Sequence, residues 1–303
     1  MRAAIAVMTR KPGEGLREVL ERVNQQSLRF QRKIVVDSNS TDSACVHAAE
    51  QGFEVFSLGR RTFNHGGTRE WCVKQLGDVE IVVFLTQDAI LASGDSVERL
   101  LAYFADAKVG AAYGRQLPHE GASKIAAHAR LFNYGEEPRL KTYADRSVLG
   151  IKTPFLSDSF AAYRLAALEE IGGFPEHVIV CEDMYAGALL LMQGYTVAYA
   201  ADAAVYHSHD YDLVQEFRRY FDTGVFQKQE PWIREAFGGA EGTGLQLVKS
   251  QLRYLCREGA YGEISHAILS NAMKLFGYRL GLYFQLMPKW LCRYLSGQGY
   301  YFS

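Results

Sequence analysis

Residues 81–89 read Ile-Val-Val-Phe-Leu-Thr-Gln-Asp-Ala, and the fold turns on how this stretch is read. Five consecutive apolar residues rich in strand formers predict a short strand buried on both faces, the kind found in a parallel sheet covered by helices. The run then ends in Thr86, Gln87 and Asp88, residues ill suited to a sheet interior. In open α/β sheets ligands bind outside the carboxyl ends of the strands. The polar end is therefore expected to face a crevice while the rest of the strand stays buried.

The same unit recurs on either side. Ala3–Met8 is an apolar run ending at Thr9, and "LREVLERVNQQS" places Leu16, Val19, Leu20 and Val23 at helical spacing. "KIVVDSNSTDS" repeats the strand with a polar end, and Asp42 reads as the cap of a helix that stops at Gly52. "FEVFSLG" reads as a strand, "GGTREWCVKQLG" as a helix, "GDSVERLLAYFAD" as a helix and "VGAAYGRQ" as a strand. Such alternation predicts an α/β fold, a mostly parallel sheet with helices on both faces. Beyond about residue 115 the pattern loosens, which suits active-site loops. "SDSFAAYRLAALEEIGGFPE" then gives strand, helix and a Gly-Gly stop, "EDMYAGALLLMQG" a helix, and "YTVAYA" a strand. From Asp212 the chain reads as helical and basic. The expected division is a catalytic domain over 1–211 and a helical region over 212–303, the latter an acceptor, membrane or dimer element.

Composition narrows the function. With 33 Lys and Arg against 34 Asp and Glu the net charge is −1, so nothing global points to nucleic acid. Five cysteines lie far apart with no CxxC pair, which fits a reducing cytosol better than a zinc site or a disulfide framework. The start is too short in apolar residues for a signal peptide, and no apolar run reaches membrane-spanning length.

Three acidic positions carry the chemistry: Asp37, Asp88 and Asp183. A departing diphosphate needs its charge neutralised, which a divalent cation held by carboxylate and phosphates does well. Asp88 is placed for that task. A separate carboxylate can take the proton of an acceptor hydroxyl, and Asp183, beside Glu182, is placed for it. Each also has a plainer reading as a turn or cap residue or a complement to a helix dipole. Gly66-Gly67-Thr68-Arg69 opens a helix whose N–H groups and guanidinium can face phosphate, with His65 ordering the same loop. His207 and His209, one residue apart after an aromatic strand end, can form a ligand pair.

Taken in order, these motifs resemble the inverting family-2 glycosyltransferases of GT-A fold. "VVDSNSTD" looks like that family's nucleotide-contacting turn, "FLTQDA" occupies the place of its metal-binding DxD, and "CEDMYAG" is similar to its catalytic-base motif. "RRTFNHGGTRE" and "VYHSHDY" are similar to bacterial rhamnosyltransferases using dTDP-L-rhamnose. The resemblance covers roughly the first 210 residues. It implies Asp183 as base with Glu182 beside it, and Thr9, Asp37, Asn39, Gly66, Arg69, Gln87 and Asp88 around the donor. It also implies Mg²⁺ or Mn²⁺ on Asp88, with help from His207, because Thr86 and Gln87 leave only one carboxylate of the DxD. A saccharide acceptor, lipid-linked or not, completes the reaction. Two other readings stay open, a non-catalytic nucleotide-sugar or glycan-binding protein and a nucleotidyltransferase. An oxidoreductase is disfavoured because "GEG" at Gly13 and Gly15 has Glu18 where a dinucleotide fingerprint has its third glycine. In the C-terminal helices, Lys274, Arg279, Lys289 and Arg293 among Leu, Phe, Tyr and Trp suit packing, docking on anionic lipid, or a homodimer.

Overall fold

The computed structural model describes residues 1–10, 15–38, 42–58, 64–239 and 243–303. Its centre is one sheet of strands β1 (Ala3–Thr9), β2 (Arg32–Asp37), β3 (Glu54–Ser57), β4 (Ile81–Thr86), β5 (Ile90–Leu91), β6 (Val109–Leu117), β7 (Arg139–Lys141), β8 (Phe160–Arg164) and β9 (Thr196–Tyr206). The spatial order is β3-β2-β1-β4-β8-β6-β9-β5, with β7 paired to β9. Strands β1 to β4 are mutually parallel, as is the β6–β9 pair. Strand β8 runs against both neighbours, β4 and β6.

The helices are α1 (Gly15–Asn24), α2 (Asp42–Glu50), α3 (His65–Gln75), α4 (Ser96–Ala102), α5 (Lys124–Asn133), α6 (Arg146–Leu149), α7 (Leu165–Glu170), α8 (Glu182–Met192), α9 (Leu213–Gln229), α10 (Pro231–Phe237), α11 (Thr243–Arg257), α12 (Ile264–Gly281) and α13 (Lys289–Leu295). The sheet is buried on both faces because its strands are apolar throughout, and alternate residues feed opposite cores. Ile5, Val7, Val83 and Leu85 pack with Val19 and Leu20 of α1 and Leu100 of α4. Ala4, Ala6, Val82 and Phe84 point the other way, toward Cys72 of α3, Leu168 of α7, Ala186 of α8 and Phe221 of α9. The sheet is thus mostly parallel and sandwiched, as its sequence implied.

Two features depart from the expected pattern. The stretch after residue 116 is not merely loop: Ser123 caps α5 by accepting a hydrogen bond from the Ala126 N–H at 3.1 Å, and β7 adds an edge to the sheet. Strand β9 is longer than "YTVAYA", because its register against β6 jumps between Gly114 and Arg115 and the strand then continues to Tyr206. That irregularity carries β9 to the crevice edge.

The C-terminal helices lock onto the sheet layer through glycines. A side chain at Gly277 or Gly281 of α12 would lie 2.3 or 2.1 Å from backbone oxygens of α9, and one at Gly224 of α9 would lie 2.3 Å from the Tyr278 carbonyl. The two helices touch backbone to backbone there. Past α13, Asp222 of α9 accepts hydrogen bonds from the Ser296 hydroxyl and, at 3.0 Å, the Gly297 N–H. Burial pushes the Asp222 carboxyl up to about 7, these hydrogen bonds notwithstanding.

Candidate active site

The carboxyl ends of β1, β2, β4, β6 and β9 converge on one cavity of about 1040 Å³. Because β8 is antiparallel, it brings its amino end to the same edge, so Asp158 and Ser159 join from before a strand rather than after it.

At one side of the cavity stand Asp88, His207 and His209, with ligating atoms all within 4.8 Å of one another. His207 Nε2 is 3.5 Å from Asp88 Oδ1, His209 Nε2 is 3.4 Å from Asp88 Oδ2, and the two Nε2 atoms are 3.1 Å apart. Burial would raise the Asp88 carboxyl, but hydrogen bonding and charge from His207 outweigh it and hold Asp88 well below the usual carboxylate range. His209 is pushed down to about 4 by burial and then by His207, which leaves its imidazole neutral at physiological pH. One carboxylate and two imidazoles whose ligating atoms converge within 4.8 Å fit a divalent cation. Two nitrogen donors suit a transition ion such as Mn²⁺ better than Mg²⁺, which prefers oxygen.

The orientation of His207 is set from behind. Arg130 and His207 Nδ1 both approach Oε1 of the buried Gln116, the latter at 2.9 Å, while Gln116 Nε2 donates to Ser157 Oγ at 2.8 Å. A guanidinium can only donate, so the Gln116 atom it meets is the oxygen. Nδ1 of His207 must then carry a hydrogen, which leaves Nε2, the atom facing Asp88, as the one that can ligate a cation once it gives up its own proton. Groups that hold a ligating histidine from its far nitrogen in this way are worth about 10–100-fold in metal affinity. Gln116→Leu is therefore expected to weaken Mn²⁺ binding by about that factor, measured as Mn²⁺-dependent thermal stabilisation. Unchanged Mn²⁺ affinity would remove Gln116 from this role.

The same cavity is lined by Arg69, Glu182 and Asp183, and the buried Asp158 also meets the Arg69 guanidinium. The Arg69 guanidinium is buried, with Nε 2.7 Å from Asp158 Oδ2 and Nη1 2.8 Å from Glu182 Oε1. The first contact is an ion pair by distance, its angle unsuited to a straight hydrogen bond. Asp183 lies outside these pairs. Its Oδ1 accepts the Met184 N–H at 2.7 Å and its Oδ2 the Asp158 N–H at 3.3 Å. Burial, then the charges of Glu182 and Asp158, raise Asp183 well above the ordinary range. Asp158, which also accepts a short hydrogen bond from Tyr163, is raised to about 6 by burial and by Glu182 against the opposing pull of Arg69. The turn into α8 is strained: Cys181, with φ +64°, is the only non-glycine residue at positive φ among the described residues. Burial, then the charges of Asp183 and Glu182, push its thiol up and so disfavour the thiolate.

The structure alters the reading of several expected residues. Arg69 does not offer a free cation to phosphate, because Asp158 and Glu182 hold it. Glu182 is correspondingly engaged with Arg69 at 2.8 Å. Gly66 is required by packing, since a side chain there would lie 1.8 Å from the Pro175 carbonyl oxygen. The neighbouring Gly67 N–H is taken at 2.7 Å by the cap residue Asn64. Gln87 Oε1 accepts from the Thr9 hydroxyl at 2.7 Å and from the Arg10 N–H at 2.8 Å, so Thr9 and Gln87 brace the ends of β1 and β4. Asp37 is buried, 3.8 Å from Cys45 Sγ, with Ser38 rather than Asp37 on the cavity wall. Asn39 lies outside the described residues. His65 lines the cavity, its proton affinity lowered chiefly by burial. Sequence reasoning missed Asp158, Gln116, Arg130 and Tyr163. A polar residue at each strand end, counted at both ends, was the signal available.

A sheet covered on both faces, with one carboxylate and two imidazoles able to hold a cation and further carboxylates in the same cavity, suits a group-transfer enzyme of the nucleotide-sugar type. Residues 4–172 match "Glycosyl transferase family 2", and the chain belongs to that family. It is similar to the O-antigen chain rhamnosyltransferase RfbN of Salmonella typhimurium, with 44% identity over 98% of this chain and 94% of that protein. The O-antigen chain rhamnosyltransferase WbaN of Salmonella anatum is 46% identical over 87% of this chain and 83% of that protein. Among solved structures, mannosyltransferase PcManGT from Pyrobaculum calidifontis, in complex with GDP-Man and Mn²⁺, aligns over 99% of this chain and 84% of its own at 18% identity, TM-score 0.59. TarS of S. aureus in complex with UDP-GlcNAc aligns over 94% and 92% at 15% identity, TM-score 0.57. These last two show the fold.

Proposed function

We propose that the chain transfers L-rhamnose from dTDP-L-rhamnose to a saccharide of a bacterial surface polysaccharide, with inversion at the anomeric carbon. The observation that carries this is one cavity lined by Asp88, His207 and His209 and also by Asp183. The rhamnosyltransferase relatives, aligned over nearly the whole chain, support the choice of sugar.

Asp183 takes the proton of the acceptor hydroxyl, the oxygen attacks the anomeric carbon, and the bond to the diphosphate breaks with its electron pair leaving on dTDP. The two N–H groups of Asp158 and Met184 aim the carboxylate, and each oxygen keeps a lone pair for the proton. Glu182 and Asp158 raise its proton affinity while Arg69 prevents three adjacent carboxylates from driving the loop apart. A bound Mn²⁺ or Mg²⁺, held by Asp88, His207 and His209, would supply the positive charge that stabilises the leaving diphosphate. Arg10 also lines the cavity, beside the Tyr300 ring, where a guanidinium can assist.

In this reading residues 1–211 hold donor and base, and 212–303 form the acceptor side. The acceptor is carried on a lipid and met at the cytoplasmic membrane surface. Among the described residues no helix is long and apolar enough to cross a membrane.

A thermal-shift screen of nucleotide sugars with and without Mn²⁺ tests the donor, since a ligand that binds only the native state raises its melting temperature. The largest rise is expected for dTDP-L-rhamnose with Mn²⁺, with EDTA removing most of it. A larger rise with a UDP- or GDP-sugar would overturn the donor. No dTDP release on adding a saccharide acceptor would leave a binding protein instead of an enzyme.

A further inference from the structure

From Ile264 to Ser303 the chain contains Lys274, Arg279, Lys289 and Arg293 and neither Asp nor Glu. Helix α12 turns Ala267, Ser270, Gly277 and Gly281 inward, the glycines against α9. Helical periodicity therefore puts Ile268, Leu275, Phe276 and Arg279 on the opposite side, and all four are exposed. The exposed apolar run continues past the end of the helix. Phe276 is 60% exposed, Leu286 83%, Trp290 70% and Tyr294 68%, with Tyr283 between them. Arg279, Lys289 and Arg293 lie exposed along the same run. Lys274 does not belong to it: its ammonium reaches back to Glu216 of α9 at 3.0 Å and lines the cavity.

We propose that the outer side of α12, the turn after it and α13 form a surface that seats the enzyme on an anionic lipid bilayer. Leu286 and Phe276 enter the headgroup–acyl boundary, Trp290 and Tyr294 lie at its level, and Arg279, Lys289 and Arg293 meet the phosphates. Aliphatic side chains flanked by Trp, Tyr and basic residues, without an acidic one, are the composition of an interfacial segment. A two-fold dimer through this surface would instead set Arg279, Lys289 and Arg293 of one copy against the same cations of the other. The inner side of α12 contributes Ser270 and Lys274 to the catalytic cavity. One helix thus joins the bilayer surface to the site, which is the arrangement a lipid-borne acceptor needs. This last step rests on the acceptor reading above, whereas the seat itself does not.

The experiment is co-sedimentation of the full chain with phosphatidylcholine vesicles, with and without phosphatidylglycerol, at low and high salt. Wild type is expected to pellet with the anionic vesicles only, and less so at high salt. Each of Arg279→Gln, Lys289→Gln and Arg293→Gln should weaken binding about fivefold, while Lys274→Gln should leave it unchanged. Leu286→Glu/Trp290→Glu should abolish it without lowering transfer to a short soluble acceptor. As a check independent of folding in that variant, brominated lipids should quench wild-type tryptophan fluorescence, and Trp290→Phe should remove most of the quenching. Failure of wild type to bind anionic vesicles, or equal binding by the Leu286/Trp290 variant, would overturn the seat. So would a wild-type dimer that Trp290→Glu splits while vesicle binding stays absent. Vesicle binding without rhamnosyl transfer would leave the seat standing and overturn the functional reading alone.

Discussion

Asp183→Asn is expected to lower turnover on the order of 10²–10⁴-fold while donor affinity stays close to that of wild type. Asparagine preserves the shape but has one oxygen where Asp183 uses two, so it can keep the 2.7 Å bond from the Met184 N–H and gives up the longer one from Asp158; unchanged donor affinity then marks the lost turnover as mainly lost proton uptake. The raised proton affinity of Asp183 carries a further consequence. A base acts only when deprotonated, so turnover should rise with pH through a limb lying above the ordinary Asp range. Removing a neighbouring negative charge with Glu182→Gln makes ionisation of Asp183 easier and should move that limb to lower pH. A limb that stays in place in Glu182→Gln would show that some other group governs it. Turnover near wild type in Asp183→Asn would move the base elsewhere.

Arg69→Met should cost about 3–5 kcal/mol of folding stability, because it leaves buried carboxylates without their cation. Arg69→Lys is expected to recover only part of this, since an ammonium cannot reproduce the fork that meets Asp158 and Glu182 together. Adding Asp158→Asn to Arg69→Met should restore some of the stability by removing one of the stranded charges. Denaturant unfolding of the three variants measures this. A loss below about 1 kcal/mol in Arg69→Met, the range of an exposed ion pair, would contradict the buried network.

Much of this architecture was legible because parallel strands obey a simple rule. Each is apolar on both faces and places its polar residues at the carboxyl end, so Thr9, Asp37 and Asp88 could be located from hydropathy, whereas the two histidines after β9 stood out by their spacing and by the family resemblance. Strand β8 breaks the rule by running the other way. Its polar residues precede the apolar run, and Asp158 in "SDSF" passed for loop. That omission changed the meaning of Arg69: with no partner in view it read as a phosphate ligand, and with Asp158 and Glu182 beside it, it is the centre of a buried ion network. Gln116 was missed for a different reason. A neutral amide carries no motif, and its importance lies in Arg130 and His207, which are 14 and 91 residues away in sequence. Lys274 shows the converse, a basic residue grouped by sequence with the exposed ones that the packing of α12 on α9 turns toward Glu216.

The central claim is a single displacement in which Asp183 activates the acceptor and the leaving diphosphate departs from the opposite side of the sugar. The anomeric configuration of the product, read by NMR from the coupling constants of the newly formed linkage, tests it most directly. With dTDP-L-rhamnose and a saccharide acceptor, the account requires a linkage of configuration opposite to that of the donor. A product that retains the donor's configuration would contradict it, since retention needs either a covalent intermediate or attack from the leaving-group side.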